Sequence, residues 1–305
     1  YGAAGVQCID VAADSGVVLA AKEGLDWAEA KHGKRPWLMI SVSDGKDNHF
    51  RKAWFNPQLC PTNCPRPCER VCPVDAITKA GVDFCRCYGC GRCLPACPLN
   101  LIDEKDQLLT NSQISALISS ARPDAVEIHT APGRSKAFEE TLKTLKAAKV
   151  TLKRLAVSCG TEAHGIKASS LSQLLWERHN SLRYNQLKPI WQLDGRPMSG
   201  DLGPGTSRVA VTLWEKVRQT APPGPLQLAG GTNKETIKHV PEGEGPAGIA
   251  FGGIARKIIK PWLQEAQTRQ IHLRDWPEGW REALQEANEL VQPWLSRKTK
   301  DLQDC

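Results

Sequence analysis

The sequence predicts an α/β fold, a parallel (β/α)8 TIM-like barrel interrupted by a cysteine-rich insertion. Three observations predict it. Short apolar runs alternate with longer helical patterns. Nine of the twelve cysteines crowd between Cys60 and Cys97. Each of the last two apolar runs is followed by a Gly-Gly turn.

The strand candidates are Cys8–Ala12, Trp37–Val42, Ala125–His129, Arg154–Ser158, Pro189–Leu193, Leu226–Ala229 and Gly248–Phe251. Helical patterns separate them at Ser15–Ala30, Ser135–Lys149, Ser169–His179, Arg208–Thr220 and Gly253–Ala266. Apolar strands buried on both faces and alternating with helices make a parallel sheet. Seven strands are one short of a closed barrel. The missing first strand is expected before Tyr1, since the chain does not begin with Met. A doubly wound open sheet is the alternative, and the two glycine pairs favour the barrel.

The chain then divides into a first part of the barrel (1–56), a ferredoxin-like insertion (57–105), the remainder of the barrel (106–266) and a C-terminal helical extension (267–305). The stretch Asp275–Lys300 is amphipathic, with Trp276, Trp280, Leu284, Leu290 and Trp294 as its apolar positions. Such a stripe marks a face packed on the barrel, with partner binding as the alternative.

The 305 residues suffice for one large domain or two ordinary ones. A net charge of +7, with the basic residues scattered, predicts no nucleic-acid footprint. No run approaches the ~18–20 apolar residues of a membrane span. A disulfide scaffold would spread its cysteines through a short chain, whereas here they are concentrated in a long one. That points to a metal site in a reducing compartment.

The segment CYGCGRCLPACP, Cys87 to Pro98, reads C-x2-C-x2-C-x3-C-P, the bacterial ferredoxin run. Three close cysteines take three corners of a cubane, and the fourth reaches the neighbouring cluster. Zinc sites prefer two separated C-x2-C pairs. The preceding CPTNCPRPCERVCP, Cys60 to Pro73, is looser, C-x3-C-x3-C-x3-C-P. The crossover rule assigns one [4Fe–4S] cluster to Cys87, Cys90, Cys93 and Cys72, and a second to Cys60, Cys64, Cys68 and Cys97. Cys85 is a spare thiol able to replace one ligand, and a single cluster with surplus cysteines is the alternative. Arg66, Arg70, Arg86 and Arg92 lie among the ligands, where positive charge raises a cluster's potential or simply solvates a small domain. Cys8 and Cys159 read as small buried hydrophobes and Cys305 as incidental.

The glycine pairs are LAGGTN, with Gly230, Gly231, Thr232 and Asn233, and AFGGIAR, with Gly252 and Gly253. The loops after strands seven and eight of such a barrel often form a phosphate site. FMN or another phosphate-bearing ligand would fit there. The glycine-rich loop Leu193–Arg208 brings Asp194, Arg196 and Asp201 to the same end, or is purely structural. His129 and His164 stand near strand ends. No Ser/His/Asp or Cys/His constellation is evident, so catalytic residues are not assigned.

Taken together, CIDVAAD, CPRPCERVCP, CYGCGRCLPACPLNLI, EIHTAPGR, QLDGRPMSGD and QLAGGTN resemble the light-dependent period protein A (LdpA) family along nearly the whole chain. The resemblance implies a cyanobacterial or plastid protein with two [4Fe–4S] clusters. It would sit in the cytoplasm, or in the chloroplast stroma with possible thylakoid association. It would carry redox and light state to protein partners of circadian input. The rival expectation is an iron–sulfur oxidoreductase using a flavin or phosphorylated ligand in the barrel.

Overall fold

A computed structural model describes residues 1–47, 50–72, 74–162, 164–196 and 204–297. Asp201, Pro73 and Cys305 therefore lie outside the described residues. In chain order the first elements are β1 (Cys8–Ala12), α1 (Ser15–His32) and β2 (Trp37–Ser43). A cysteine-rich run follows, with β3 (Arg51–Trp54), α2 (Pro67–Arg70), β4 (Ile77–Thr78), β5 (Gly81–Val82), α3 (Cys93–Ala96) and β6 (Asp103–Asp106). After it come α4 (Asn111–Ala121), β7 (Ala125–His129), α5 (Ser135–Ala147), β8 (Arg154–Gly160), α6 (Ala168–Tyr184), β9 (Pro189–Asp194) and α7 (Ser207–Val217). The chain closes with β10 (Leu226–Ala229), β11 (Gly248–Ile249), α8 (Gly253–Thr268) and α9 (Pro277–Leu295). These elements form two compact units, Gly45–Leu109 and the remainder of the chain.

In the larger unit seven strands form one sheet in the order β1-β2-β7-β8-β9-β10-β11. Every pairing is parallel. Strands adjacent in the sheet follow one another in the chain, which is the winding of a barrel rather than of a doubly wound sheet. The sheet curls as a half-barrel with β1 and β11 at its edges.

Local sequence explains the helices. Asp14 caps α1 by accepting from Val17 N at 3.0 Å, and Gly33 closes it at φ 72°. Thr110 and Gln113 form a reciprocal capping box on α4. Phe138, Leu142 and Leu145 make one buried stripe on α5. Burying each contributes about 1.5–3 kcal/mol. In α9, Ala287, Leu290 and Val291 pack with Ala4, and Ile254, Ile258 and Ile259 of α8 join them. Trp280 meets Trp27 of α1 edge to face at 4.8 Å. The apolar stripe of the C-terminal helix is thus spent on packing.

The strands present two different faces. Leu38, Ile40, Val42, Val126, Ile128, Leu155, Val157 and Leu193 are 0–2% exposed and form the helix-covered side. The alternate residues begin apolar, with Met39, Ala125 and Ala156 packed beside Cys8 and Ile190, and then turn polar. The expectation of strands apolar on both faces therefore needs correction: one face carries Asp10, Ser41, Glu127, Ser158, Gln192 and Gln227, because successive residues point to opposite sides.

The smaller unit pairs β3 with β6 and β4 with β5, both antiparallel. Its core is Ala53, Phe55, Cys68, Ile77, Cys93 and Ile102. Cys60, Cys72, Cys87 and Cys97 pack against it. Two of these six core residues are cysteines, and four more cysteines lie against them. No helix among the described residues is long and apolar enough to cross a membrane.

Candidate iron–sulfur site

Cys72, Cys87, Cys90 and Cys93 line one cavity, with Ala53, Ala76, Ile77, Tyr88, Gly89 and Gly91 among its walls. Two sequence-separated pieces meet here, the end of the first cysteine run and three cysteines of the second. Gly89 and Gly91 hold φ 77° and 72°, in the left-handed region where a side chain is strained. A Cβ on Gly89 would also lie against the Arg51 carbonyl oxygen. Arg51 of β3 donates from Nε to Gly89 O at 3.2 Å and pairs with Glu104 of β6. That arginine, missed by the sequence reading, ties the cysteine loop to the β3–β6 pair.

Cys60, Cys64, Cys68 and Cys97 form the other group. Cys60 interacts with Cys64 and Cys97, and Cys68 with Cys97. Cys93 interacts with Cys90, Cys87 and Cys72. Of the two expected sets, Cys72, Cys87, Cys90 and Cys93 share one cavity lining. Burial, then the neighbouring thiols, pushes Cys93 up to about 12. Burial, then Cys64, also raises Cys60. Such thiols give up their protons when a cation replaces them.

The two halves repeat each other locally. Ala76 N donates to Cys72 Sγ at 3.2 Å, and Leu101 N donates to Cys97 Sγ at 3.4 Å. In each half the residue before the donor, Asp75 or Asn100, sits at φ 51°. Ala53 N adds a bond to Cys87 Sγ at 3.4 Å. Arg66 reaches Cys60 Sγ at 3.8 Å while pairing with Glu69 at 2.6 Å. Arg86 instead pairs with Asp83 at 3.5 Å. Cys85 is exposed and absent from the cavity lining. Among the described residues no three His, Cys, Asp or Glu side chains converge as the ligands of a single metal ion would.

Other expected residues lie in the larger unit. Gly230 and Gly231 have φ 62° and 80° and pack against Arg196. Thr232 and Asn233 are 3% and 4% exposed. Thr232 Oγ1 donates to Ala250 O at 2.6 Å, joining the β10 and β11 loops. Asn233 Oδ1 accepts from Glu235 N at 2.8 Å. Both side chains are thus hydrogen-bonded within the protein. Gly252 precedes α8 with no side-chain cap, and Gly253 begins it. His164 lies in the loop after β8. Cys159 is buried, and burial pushes its thiol up to about 12.

The sequence reading also missed a polar row on the open face of the sheet. Glu127 is fully buried. Its Oε1 accepts from Gln192 Nε2 at 2.6 Å and lies 3.1 Å from His129 Nε2. Ser158 Oγ donates to Asp194 Oδ2 at 2.7 Å, and Gln227 Nε2 to Gln192 Oε1 at 3.0 Å. The signal was present as polar residues at alternate positions of successive strands.

A cysteine-built small unit inserted after the second strand of a sequentially wound parallel sheet defines an iron–sulfur protein with an α/β body. Residues 60–108 match the family model of the LdpA Fe-S cluster-binding domain, and residues 117–293 match that of the Light dependent period A C-terminal domain. The chain belongs to the light dependent period A family. It is 42% identical to Light dependent period A of Synechococcus elongatus over 302 residues, 96% of this chain and 84% of the relative. A second relative is an uncharacterised ferredoxin of Methanocaldococcus jannaschii. It is 33% identical over 107 residues, covering 34% of this chain and 71% of the ferredoxin.

Proposed function

We propose that the chain holds two [4Fe–4S] clusters and serves as a redox sensor or electron carrier that reports cellular redox and light state to protein partners. Cys72, Cys87, Cys90 and Cys93 hold one cluster, and Cys60, Cys64, Cys68 and Cys97 the other. The observation carrying this is the first set lining one cavity although Cys72 comes from a different cysteine run. A cubane takes one thiolate at each of four corners, so its ligands surround a cavity instead of converging on a point. The N–H groups of Ala53, Ala76 and Leu101 stabilise thiolate charge, and the Arg66 guanidinium does so beside Cys60. The clusters supply one-electron chemistry when bound.

A circadian-input role, and a cytoplasmic or stromal location, follow from the family relationship. An oxidoreductase with FMN or a phosphorylated ligand is the second reading. The positive-φ turn at Gly230–Gly231 and the uncapped start of α8 favour it. The absorption spectrum of protein purified without oxygen separates the two. Broad thiolate-to-iron bands that bleach on reduction, with no flavin band, support the sensor or carrier. A stoichiometric flavin band supports the oxidoreductase.

A further inference from the structure

Ser41 stands between two carboxyls that it cannot satisfy together. Its Oγ lies 2.7 and 2.8 Å from the two carboxyl oxygens of Asp10 and 3.0 Å from Glu127 Oε2. A hydroxyl has one proton to donate. With both carboxyls ionised, three acceptor oxygens would share that proton, and two like charges would face each other in a site where Glu127 is fully buried. A second proton on one carboxyl removes the conflict.

The surroundings decide which carboxyl holds it. Burial alone would raise Glu127, but the facing His129, with hydrogen bonds from His129 and Asp10, brings it down to about 2. Removal of its oxygens from water, then the charge of Glu127, holds Asp10 well above the usual carboxylate range. The Asp10 residue as a whole stays exposed because β1 is an edge strand, although its carboxyl faces the row. Asp10 is therefore the acid and Glu127 the carboxylate. Cys8 of the same strand also faces the pair, and burial, then Asp10 and Glu127, pushes it up to about 12. Asp194 of β9 reaches the row through Ser158. No charged side chain of α1, the helix packed on β1, is among the groups that shift Asp10.

We propose that the Asp10–Ser41–Glu127 contact is a proton-operated latch: it holds edge strand β1 on the sheet while Asp10 carries a proton, and loosens when that proton leaves to solvent. Among the described residues β1 pairs with β2 alone, through Cys8–Ala12 on Trp37–Ser41. The side-chain bridge from Asp10 through Ser41 to Glu127 of β7 is its second tie to the sheet. The Asp10 contribution is fully present below the unfolded-state value near 3.8 and is lost as pH rises through the folded value. The Glu127 contribution has the opposite sign and is lost only as pH falls toward about 2. The latch thus opens on the alkaline side. It stands independently of the iron–sulfur reading, because it lies within the sheet unit.

Hydrogen–deuterium exchange of the full cluster-loaded chain tests this, with rates corrected for intrinsic pH dependence. Between the lowest and the highest pH at which the rest of the sheet stays folded, amides of residues 8–12 should lose about tenfold or more of their protection, while those of residues 125–129 hold theirs. Asp10→Asn, which keeps the shape and supplies a permanent donor, should reduce that loss to within about twofold. Ser41→Ala should leave β1 weakly protected at both pH values. Equal wild-type protection at both pH values overturns the latch, as does an unchanged loss in Asp10→Asn. Should Asp10→Asn fail to fold, the wild-type comparison and Ser41→Ala still decide. There, a Ser41→Ala protein that keeps wild-type protection overturns the proposal.

Discussion

Asp75 and Asn100 share the same left-handed backbone, φ 51°, each three residues after a cysteine whose sulfur accepts the next amide. The two places belong to C-P-V-D-A-I and C-P-L-N-L-I, so the smaller unit is built on an internal repeat. Asp and Asn tolerate this conformation better than other side chains. Asp75→Ala and Asn100→Ala should each destabilise the unit by about 1–2 kcal/mol, while the glycine variants should be nearly neutral. Thermal loss of cluster absorption measures this. Equal loss in the alanine and glycine variants would show that backbone strain is not the cause.

Gly89→Ala should be more damaging. It adds a contact with the Arg51 backbone to the left-handed strain of about 1–2 kcal/mol. The expected result is poor retention of the cluster on Cys72, Cys87, Cys90 and Cys93, read as iron per chain. Gly133 has φ 77° and nothing near its Cβ position, so Gly133→Ala should leave iron content unchanged and serves as control.

In the sheet unit, Arg178 is 1% exposed. It donates to Thr130 Oγ1 at 3.2 Å, Ser135 Oγ at 3.0 Å and Ala131 O at 3.1 Å. Nearby, Arg134 reaches Asp44 Oδ1 at 3.3 Å, and Thr130 donates to the same carboxyl. Burial raises the Asp44 carboxyl, and the Thr130 and Arg134 bonds and the charges of Arg134 and Arg178 oppose that. Arg178→Ala should cost about 3–5 kcal/mol, since it removes the donor from Thr130, Ser135 and the Ala131 carbonyl and leaves a void. Arg178→Met fills the void but leaves the same acceptors without that donor, so it should recover only part. Urea unfolding followed by far-ultraviolet circular dichroism supplies the numbers.

Asp124 predicts a pH dependence of opposite sign to the latch. Burial would raise it, but Lys153 at 2.7 Å, the Leu38 amide at 3.0 Å and Arg35 at 3.9 Å outweigh that and lower it. Its contribution is present above the unfolded value near 3.8 and lost as pH falls through the folded value. The pair is partly solvated, so Asp124→Asn should cost about 1 kcal/mol at neutral pH and nothing in strong acid. A pH-independent cost would refute the electrostatic account.

Strand placement was legible because each apolar run ends at a local signal. The meeting of Cys72 with Cys87, Cys90 and Cys93 at one cavity was legible because cysteine spacing encodes corner geometry. The polar row was not. Asp10, Ser41 and Glu127 are separated by 31 and 86 residues, and only strand order brings them together. Helix α4 was missed too, although its Thr110–Gln113 box was readable. For Thr232 and Asn233 the residue types suggested ligand donors, and the structure adds bonds of Thr232 to Ala250 O and of Asn233 to Glu235 N. Spacing cannot distinguish those outcomes.

The most direct test of two clusters in crossover sets is iron and acid-labile sulfide per chain, in protein purified without oxygen, for wild type and for Cys90→Ser, Cys64→Ser and Cys85→Ser. The account predicts about eight irons and eight sulfides in wild type and in Cys85→Ser, falling to about four in each of the other two. About four irons in wild type, or zinc in place of iron, would contradict it.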